Sequence, residues 1–192
     1  MKIKKIVVAS TNEGKISEIK SIFKDVEIVS MGELGFKDDI EETGETFKEN
    51  AKIKAETVAK RFNLPALADD SGLCVDTLDG APGIYSARFS GEGPAANRKL
   101  LLKRLENNTD RVAHFESAVC LCMPDGKTYF GEGKTHGSIL QEEIGTNGFG
   151  YDCLFFSADL KKSFGVASDE EKNSVSHRFR ALEDLKAKLS SP

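Results

Sequence analysis

The sequence predicts an α/β fold, and three observations carry that prediction. An apolar strand pattern opens the chain and passes through a polar loop into a helical pattern; strand-like and helix-like runs then alternate to about residue 70; and the second half adds a long alternating stretch folded about a Pro-Asp-Gly turn. With 192 residues, 39% hydrophobic and 30% charged, the chain has the size and composition of an ordinary globular domain that needs no staples.

Residues 2–9 read as a buried first strand. Ser10-Thr11-Asn12-Glu13-Gly14-Lys15 follows, directly before a helix with Ile16, Ile19, Ile22 and Phe23 on one face. Such a junction offers backbone N–H groups and the positive end of the helix dipole to a phosphate, with Lys15 as a mobile charge and Asn12 as a donor. An N-capped helix with an exposed lysine explains the same residues. The Walker pattern does not fit, because Ala9 and Ile16 stand where a glycine and a Ser or Thr are required. Residues 26–31 form a second strand and 32–40 a loop that runs into the acidic stretch 38–42. Thr43-Gly44 then opens a long helix whose Phe47, Ala51, Ala55, Val58 and Phe62 share a sheet-packing face. Lys54 borders that face one turn from Asn50, either as a snorkelling side chain or as a functional cation.

Residues 64–68 predict a third strand that ends at Asp69-Asp70-Ser71-Gly72. Two carboxylates cannot enter a core unpaired, so they are expected at the strand's end. Neighbouring strand side chains point to opposite faces, so one carboxylate is tied down by backbone or cationic partners while the other, assigned as Asp70, faces a cleft. A plain strand-ending turn accounts for the same four residues.

The segment 78–89 is punctuated by Gly and Pro and reads as irregular. A helix is expected over 95–106. Residues 111–123 and 127–139 predict a long hairpin about Pro124-Asp125-Gly126, a candidate second lobe. Residues 146–152 form a glycine-rich loop with a strand at 153–156 behind it. Ser168 and Glu171 make a capping box, and an amphipathic tail helix carries Phe179, Leu182, Leu185 and Leu189.

A net charge of −4 argues against a polynucleotide partner, which needs a basic surface. No apolar run approaches the roughly 18 residues of a membrane span. Only Ile6–Ala9 follow the basic start as an apolar run, so no secretory leader is expected and the protein reads as cytoplasmic. Cys74, Cys120, Cys122 and Cys153 lie in apolar stretches without metal-type pairing to histidines and are expected to be reduced core residues; Cys120-x-Cys122 is not read as a zinc site.

The ordered set Ser10 to Lys15, Glu41-Glu42-Thr43-Gly44 with Asn50 and Lys54, Ala68 to Gly72, Gly80 to Arg88, Phe149-Gly150-Tyr151-Asp152 and Ser176-His177-Arg178 resembles the inosine-triphosphate pyrophosphatase family. The resemblance spans most of the chain and implies a single two-lobed catalytic domain over residues 1–192. Its α/β fold would have two lobes around a central mixed sheet with a cleft between them; the hairpin pattern itself places a hairpin lobe at roughly 107–139. It implies hydrolysis of non-standard purine nucleoside triphosphates (ITP, dITP, XTP) to the monophosphate and pyrophosphate, with Mg2+ as cofactor, and a homodimer. Asp70 would be general base and metal ligand, Glu42 a second metal carboxylate, and Lys54 a catalytic cation. Ser10, Thr11, Asn12, Glu13, Gly14, Lys15 and Ser71 would contact the triphosphate; Phe149, Gly150, Tyr151, Asp152, Lys172, His177 and Arg178 would bind the base. On that reading Phe149 stacks on the purine, Asp152 accepts its N1–H, and His177 and Arg178 donate to its 6-carbonyl. A nucleotide-binding module without turnover and a pyrophosphatase for modified pyrimidine nucleotides are the rival readings.

Overall fold

The computed structural model describes residues 3–36 and 38–190; residue 2 of the expected first strand and residue 37 of the expected loop lie outside the described residues. The strands are β1 (Lys5–Val8), β2 (Glu27–Ser30), β3 (Ala66–Val75), β4 (Val112–Cys122), β5 (Thr128–Ile139), β6 (Phe155–Ser157) and β7 (Lys162–Ser163). The helices are α1 (Glu13–Ile22), α2 (Phe47–Phe62), α3 (Pro94–Arg104), α4 (Asp169–Val175) and α5 (His177–Ser190). All seven strands form one sheet in the order β2-β1-β3-β4-β5-β6-β7. The sheet is mixed: β1 pairs in parallel with β2 and β3, whereas β5–β6 and β6–β7 are antiparallel. The α/β class is therefore as the sequence predicts.

The chain divides into two compact units. The first comprises residues 1–70, 117–133 and 178–192, and the second 71–116 and 134–177. This differs from the expected hairpin lobe at 107–139, because the tip of the β4–β5 hairpin belongs to the first unit and its base to the second.

Strand parity builds the first unit. Val7, Ala9, Ala66, Ala68, Cys120 and Cys122 pack with Ala51, Ala55 and Val58 of α2, while Ile6, Val8, Leu67, Val119 and Leu121 pack with Ile19 of α1 and Ala181, Leu182 and Leu185 of α5. Alternate residues of each strand thus serve opposite helical layers. In the second unit Leu73, Val75, Ala113, Phe115, Ile139, Phe155 and Phe164 form a separate core with Leu101 and Leu105.

Two expectations are corrected here. The third strand does not end at Asp69: β3 continues through Asp69-Asp70-Ser71-Gly72 to Val75, with Asp69 and Asp70 only 2% and 5% exposed. The strand tolerates them because both carboxylates find cationic partners, as described below. The second correction concerns the cysteines. All four are free and buried, and burial pushes the Cys120 thiol up to about 12, but Cys74 does have histidine company, lying beside His114 and Glu116. Neither β7 nor the short 3-10 helix at Asp152–Leu154 is expected from the sequence pattern. Among the described residues no helix is long and apolar enough to cross a membrane.

Candidate active site

In the first unit, parity sends the two adjacent carboxylates to opposite sides of the sheet. Asp69 shares the face of Leu67 and meets Lys15 of α1 at 2.8 Å and Arg178 of α5 at 3.2 Å. The Ser117 hydroxyl of β4 donates to its Oδ1 at 2.5 Å. Arg178 also pairs with Glu18 of α1. Burial opposes ionisation of Asp69, but Arg178 and Lys15 outweigh it and hold the carboxyl well below the usual carboxylate range.

Asp70 shares the face of Ala68 and meets α2. The Lys54 ammonium donates to Asp70 Oδ1 at 3.0 Å, to Glu42 Oε1 at 2.6 Å and to the Asp69 carbonyl at 3.0 Å. The other Asp70 oxygen, Oδ2, is buried and accepts no hydrogen bond from the described residues. Burial raises the Asp70 pKa, Lys54 opposes the rise, and the neighbouring Glu42 charge adds to it; the net shift is upward. Burial pulls the Lys54 ammonium down, yet Asp70 and Glu42 overcome this and hold it above the ordinary lysine value.

Glu42 is placed by local structure. The N–H of Gly44 donates to Asn50 Oδ1 at 2.8 Å, tying the loop to α2. A Cβ on Gly44 would lie 2.6 Å from Glu49 Cβ and 2.8 Å from Asn50 Oδ1, so the close approach requires glycine. The helix begins at Phe47, capped reciprocally by Thr46 and Glu49, three residues later than Thr43-Gly44 suggests.

In the second unit, Lys172 of α4 donates to Asp152 Oδ2 at 2.8 Å and lies 4.4 Å from the Phe149 ring centroid. The Phe149 N–H donates to the same Asp152 oxygen at 2.8 Å. Gly148 turns with φ +74°, and a Cβ there would lie 2.2 Å from that oxygen. Arg98 of α3 braces the loop by donating to Glu143 at 2.8 Å and to the Gly150 carbonyl at 3.1 Å. Phe149 is 37% exposed, with the held Lys172 ammonium over its ring.

The chain matches the Ham1 family over residues 6–188. It belongs to the Ham1 family. A Bacillus licheniformis relative named dITP/XTP pyrophosphatase is 45% identical over 193 residues, covering 97% of this chain and 98% of the relative. The solved Staphylococcus aureus Ham1 protein superposes with a TM-score of 0.87 at 45% identity, over 97% of this chain and 98% of that one. A HAM1 protein from Coxiella burnetii gives 0.87 at 38% identity, over 98% and 99%.

Within this Ham1 fold the structure brings together Asp70, Glu42 and Lys54 in the first unit and Phe149, Asp152 and Lys172 in the second. Other assigned residues have different surroundings. Asn12 caps α1 by accepting from the Lys15 N–H at 3.1 Å, and Ser10 accepts from the Asn12 N–H at 3.1 Å. Thr11 and Glu13 are exposed, and Gly14 and Ser71 are half-buried. Lys15 is not a mobile charge, because Asp69 holds it. Arg178, assigned to the base, is 1% exposed, with its guanidinium held by Glu18 and Asp69, as a buried cation requires. Tyr151, also assigned to the base, is 5% exposed, with its hydroxyl donating to the Ser86 carbonyl at 2.8 Å. His177 stacks on Phe115, centroids 4.9 Å apart. Asp152 Oδ2 accepts from both the Phe149 N–H and the Lys172 ammonium. Sequence reasoning missed Glu18, Ser117 and Arg98. Ser117 alone left a signal, a hydroxyl in the middle of the apolar run of β4.

Proposed function

We propose that this protein hydrolyses non-standard purine nucleoside triphosphates of the dITP, ITP and XTP type to the nucleoside monophosphate and pyrophosphate, using Mg2+. The observation that carries the reading is the Asp70–Lys54–Glu42 group, with a buried carboxylate oxygen that accepts nothing from the described residues. Family membership and the names of the relatives supply the substrate class.

The donor set fits a hard cation. Asp70 Oδ2 and the Glu42 carboxylate are oxygen ligands, and one or two carboxylates plus phosphate oxygens are the ordinary way a protein holds Mg2+. Bound there, Mg2+ would neutralise phosphate charge during the displacement. The chain's own residues do the rest. A water oxygen attacks the α-phosphorus, the bond to the α–β bridging oxygen breaks, and pyrophosphate leaves with the bonding electrons. Asp70 takes the water's proton, a role suited by a pKa raised above that of a free aspartate. Lys54, fixed by three acceptors, keeps Asp70 in one orientation and supplies positive charge without reorganising. Phe149 stacks on the purine, with Lys172 and Asp152 setting the ring's position.

A binding module without turnover gains little from two carboxylates next to a triphosphate, since they repel it unless a cation and a reaction are involved. Cytoplasmic location and a homodimer are part of the proposal; buried free thiols support the first, the family resemblance alone supports the second, and sedimentation tests it. A panel of dITP, ITP, XTP, dATP and dGTP, with pyrophosphate and orthophosphate measured separately and Mg2+ present or chelated, tests the activity. Pyrophosphate release confined to the first three substrates and dependent on Mg2+ is expected. Orthophosphate as the first product, or equal rates on dATP, contradicts it.

A further inference from the structure

The second unit carries a cluster of soft and borderline metal ligands that the proposed chemistry does not use. Cys74 lies on β3, and His114 and Glu116 lie two residues apart on the adjacent strand β4. Parity again explains the meeting. Leu73 and Val75 face the core of this unit, as do Ala113 and Phe115, so Cys74, His114 and Glu116 share the opposite face. One ligand atom from each lies within 4.8 Å of the others. The next strand, β5, adds Lys134 and His136 to this side, with Lys134 donating to Glu116 Oε2 at 2.8 Å and the His136 ring centroid 5.6 Å from that of His114.

We propose that Cys74, His114 and Glu116 form a binding site for a borderline divalent transition metal such as Zn2+, separate from the oxygen-ligand site for Mg2+. Thiolate, imidazole and carboxylate are the three side chains that bind Zn2+, with bond lengths of about 2.3 Å to sulfur and about 2.0–2.2 Å to nitrogen and oxygen. Such bonds set tetrahedral ligand atoms about 3.5 Å apart, so a small inward movement closes the site. Mg2+ and Ca2+ do not take thiolate or imidazole readily, which makes the cluster selective by chemistry. The histidine is already oriented for the task. Its Nε2 lies 3.5 Å from Glu116 Oε2, on the cluster side, while Nδ1 lies 3.8 Å from Asp76 Oδ1. A carboxylate behind the second ring nitrogen is the usual support of a metal-bound histidine. Cys74 is 8% exposed on a face where His114 and Glu116 remain partly open, so the sulfur is shielded and the metal has an entry path. His136 or water completes four-coordination. Lys134 is the charge a metal must displace from Glu116, and at 49% side-chain exposure it has room to swing out. Occupancy would tie the end of β3 to β4.

The test is a Co2+ titration of the full-length, chelator-treated protein, reading the near-ultraviolet thiolate-to-cobalt charge-transfer band, followed by displacement with Zn2+. Wild type is expected to give a band that saturates at one equivalent per chain and disappears on adding Zn2+. Cys74→Ser should abolish the band, whereas Cys120→Ser, altering a buried thiol elsewhere, should leave it intact. His114→Gln, at a position whose side chain is 20% exposed, should weaken binding by at least about tenfold, the lower end of what losing even an outer-shell partner of a metal costs. Lys134→Ala should tighten binding by freeing Glu116. Absence of the band in wild type, its survival in Cys74→Ser, or unchanged affinity in a folded His114→Gln would each overturn the proposal.

Discussion

Asp69 and Asp70 are chemically identical neighbours with opposite protonation behaviour. Asp69 has a depressed folded pKa, so it contributes stability that is present above the unfolded value of about 3.9 and is lost as pH falls through the folded value. Acid unfolding should therefore begin below pH 4, with Asp69→Asn flattening the pH dependence of Tm there. Asp70 has a raised pKa, so the sign reverses: its contribution is complete below about 3.9 and is lost as pH rises through the folded value. The ionised form therefore weighs against the fold. The acid limb of kcat/KM for dITP should lie above the pKa of a free aspartate. Lys54→Ala, which removes the cation that opposes the rise, should lower kcat and shift that limb to higher pH. A limb that stays in place would show that Lys54 does not govern Asp70. The sequence made the opposite facing of the two acids legible, because strand parity requires it. It did not reveal which cations serve Asp69, since Lys15, Arg178 and Ser117 come from three distant segments that only tertiary packing joins.

At the level of elements, the alternation of β1, α1, β2 and α2 was readable from apolar periodicity, and so were the capping box at Ser168 and the hairpin about its Pro-Asp-Gly turn. The course of β3 was not. Local composition at Asp69 to Gly72 favours a turn, and the ion pairs that overrule it form only when α1, α2 and α5 have packed. The loop around Phe149 shows the same dependence. Gly148 was legible as a glycine in a loop, but its need for φ +74° beside the Asp152 carboxylate was not. Gly148→Ala forces a side chain into a left-handed backbone and onto that carboxylate. It should raise KM for dITP by at least about tenfold, equivalent to 1.4 kcal/mol of binding, while kcat falls less, because Asp70 and Lys54 are untouched. Steady-state kinetics check this; a fall in kcat alone would place the loop's role in chemistry rather than binding.

For the molecule as a whole, the fold should not depend on the Mg2+ it is proposed to use. Lys54 already neutralises part of the Asp70–Glu42 charge, and the sheet and its helical layers form the core without an ion. Chelation is expected to stop dITP turnover, and Mg2+ to restore it, with Tm changing little; unfolding on chelation would show that the metal is structural. The family, the α/β class and most element positions could be read from the sequence. The partition into units could not, because β3, β4 and β5 each contribute to both, and no composition shift marks where a strand passes from one to the other. The central claim is that strand parity gives Asp69 to the fold and Asp70 to the reaction. Its most direct test is to measure Tm and dITP-dependent pyrophosphate release side by side for Asp69→Asn and Asp70→Asn. The expected result is that Asp70→Asn keeps or raises Tm while losing at least about two orders of magnitude in kcat, and that Asp69→Asn lowers Tm by on the order of 10 °C, as a broken buried ion pair does in a chain of this size. An Asp70→Asn enzyme with near-normal turnover, or an Asp69→Asn protein as stable as wild type, would contradict it.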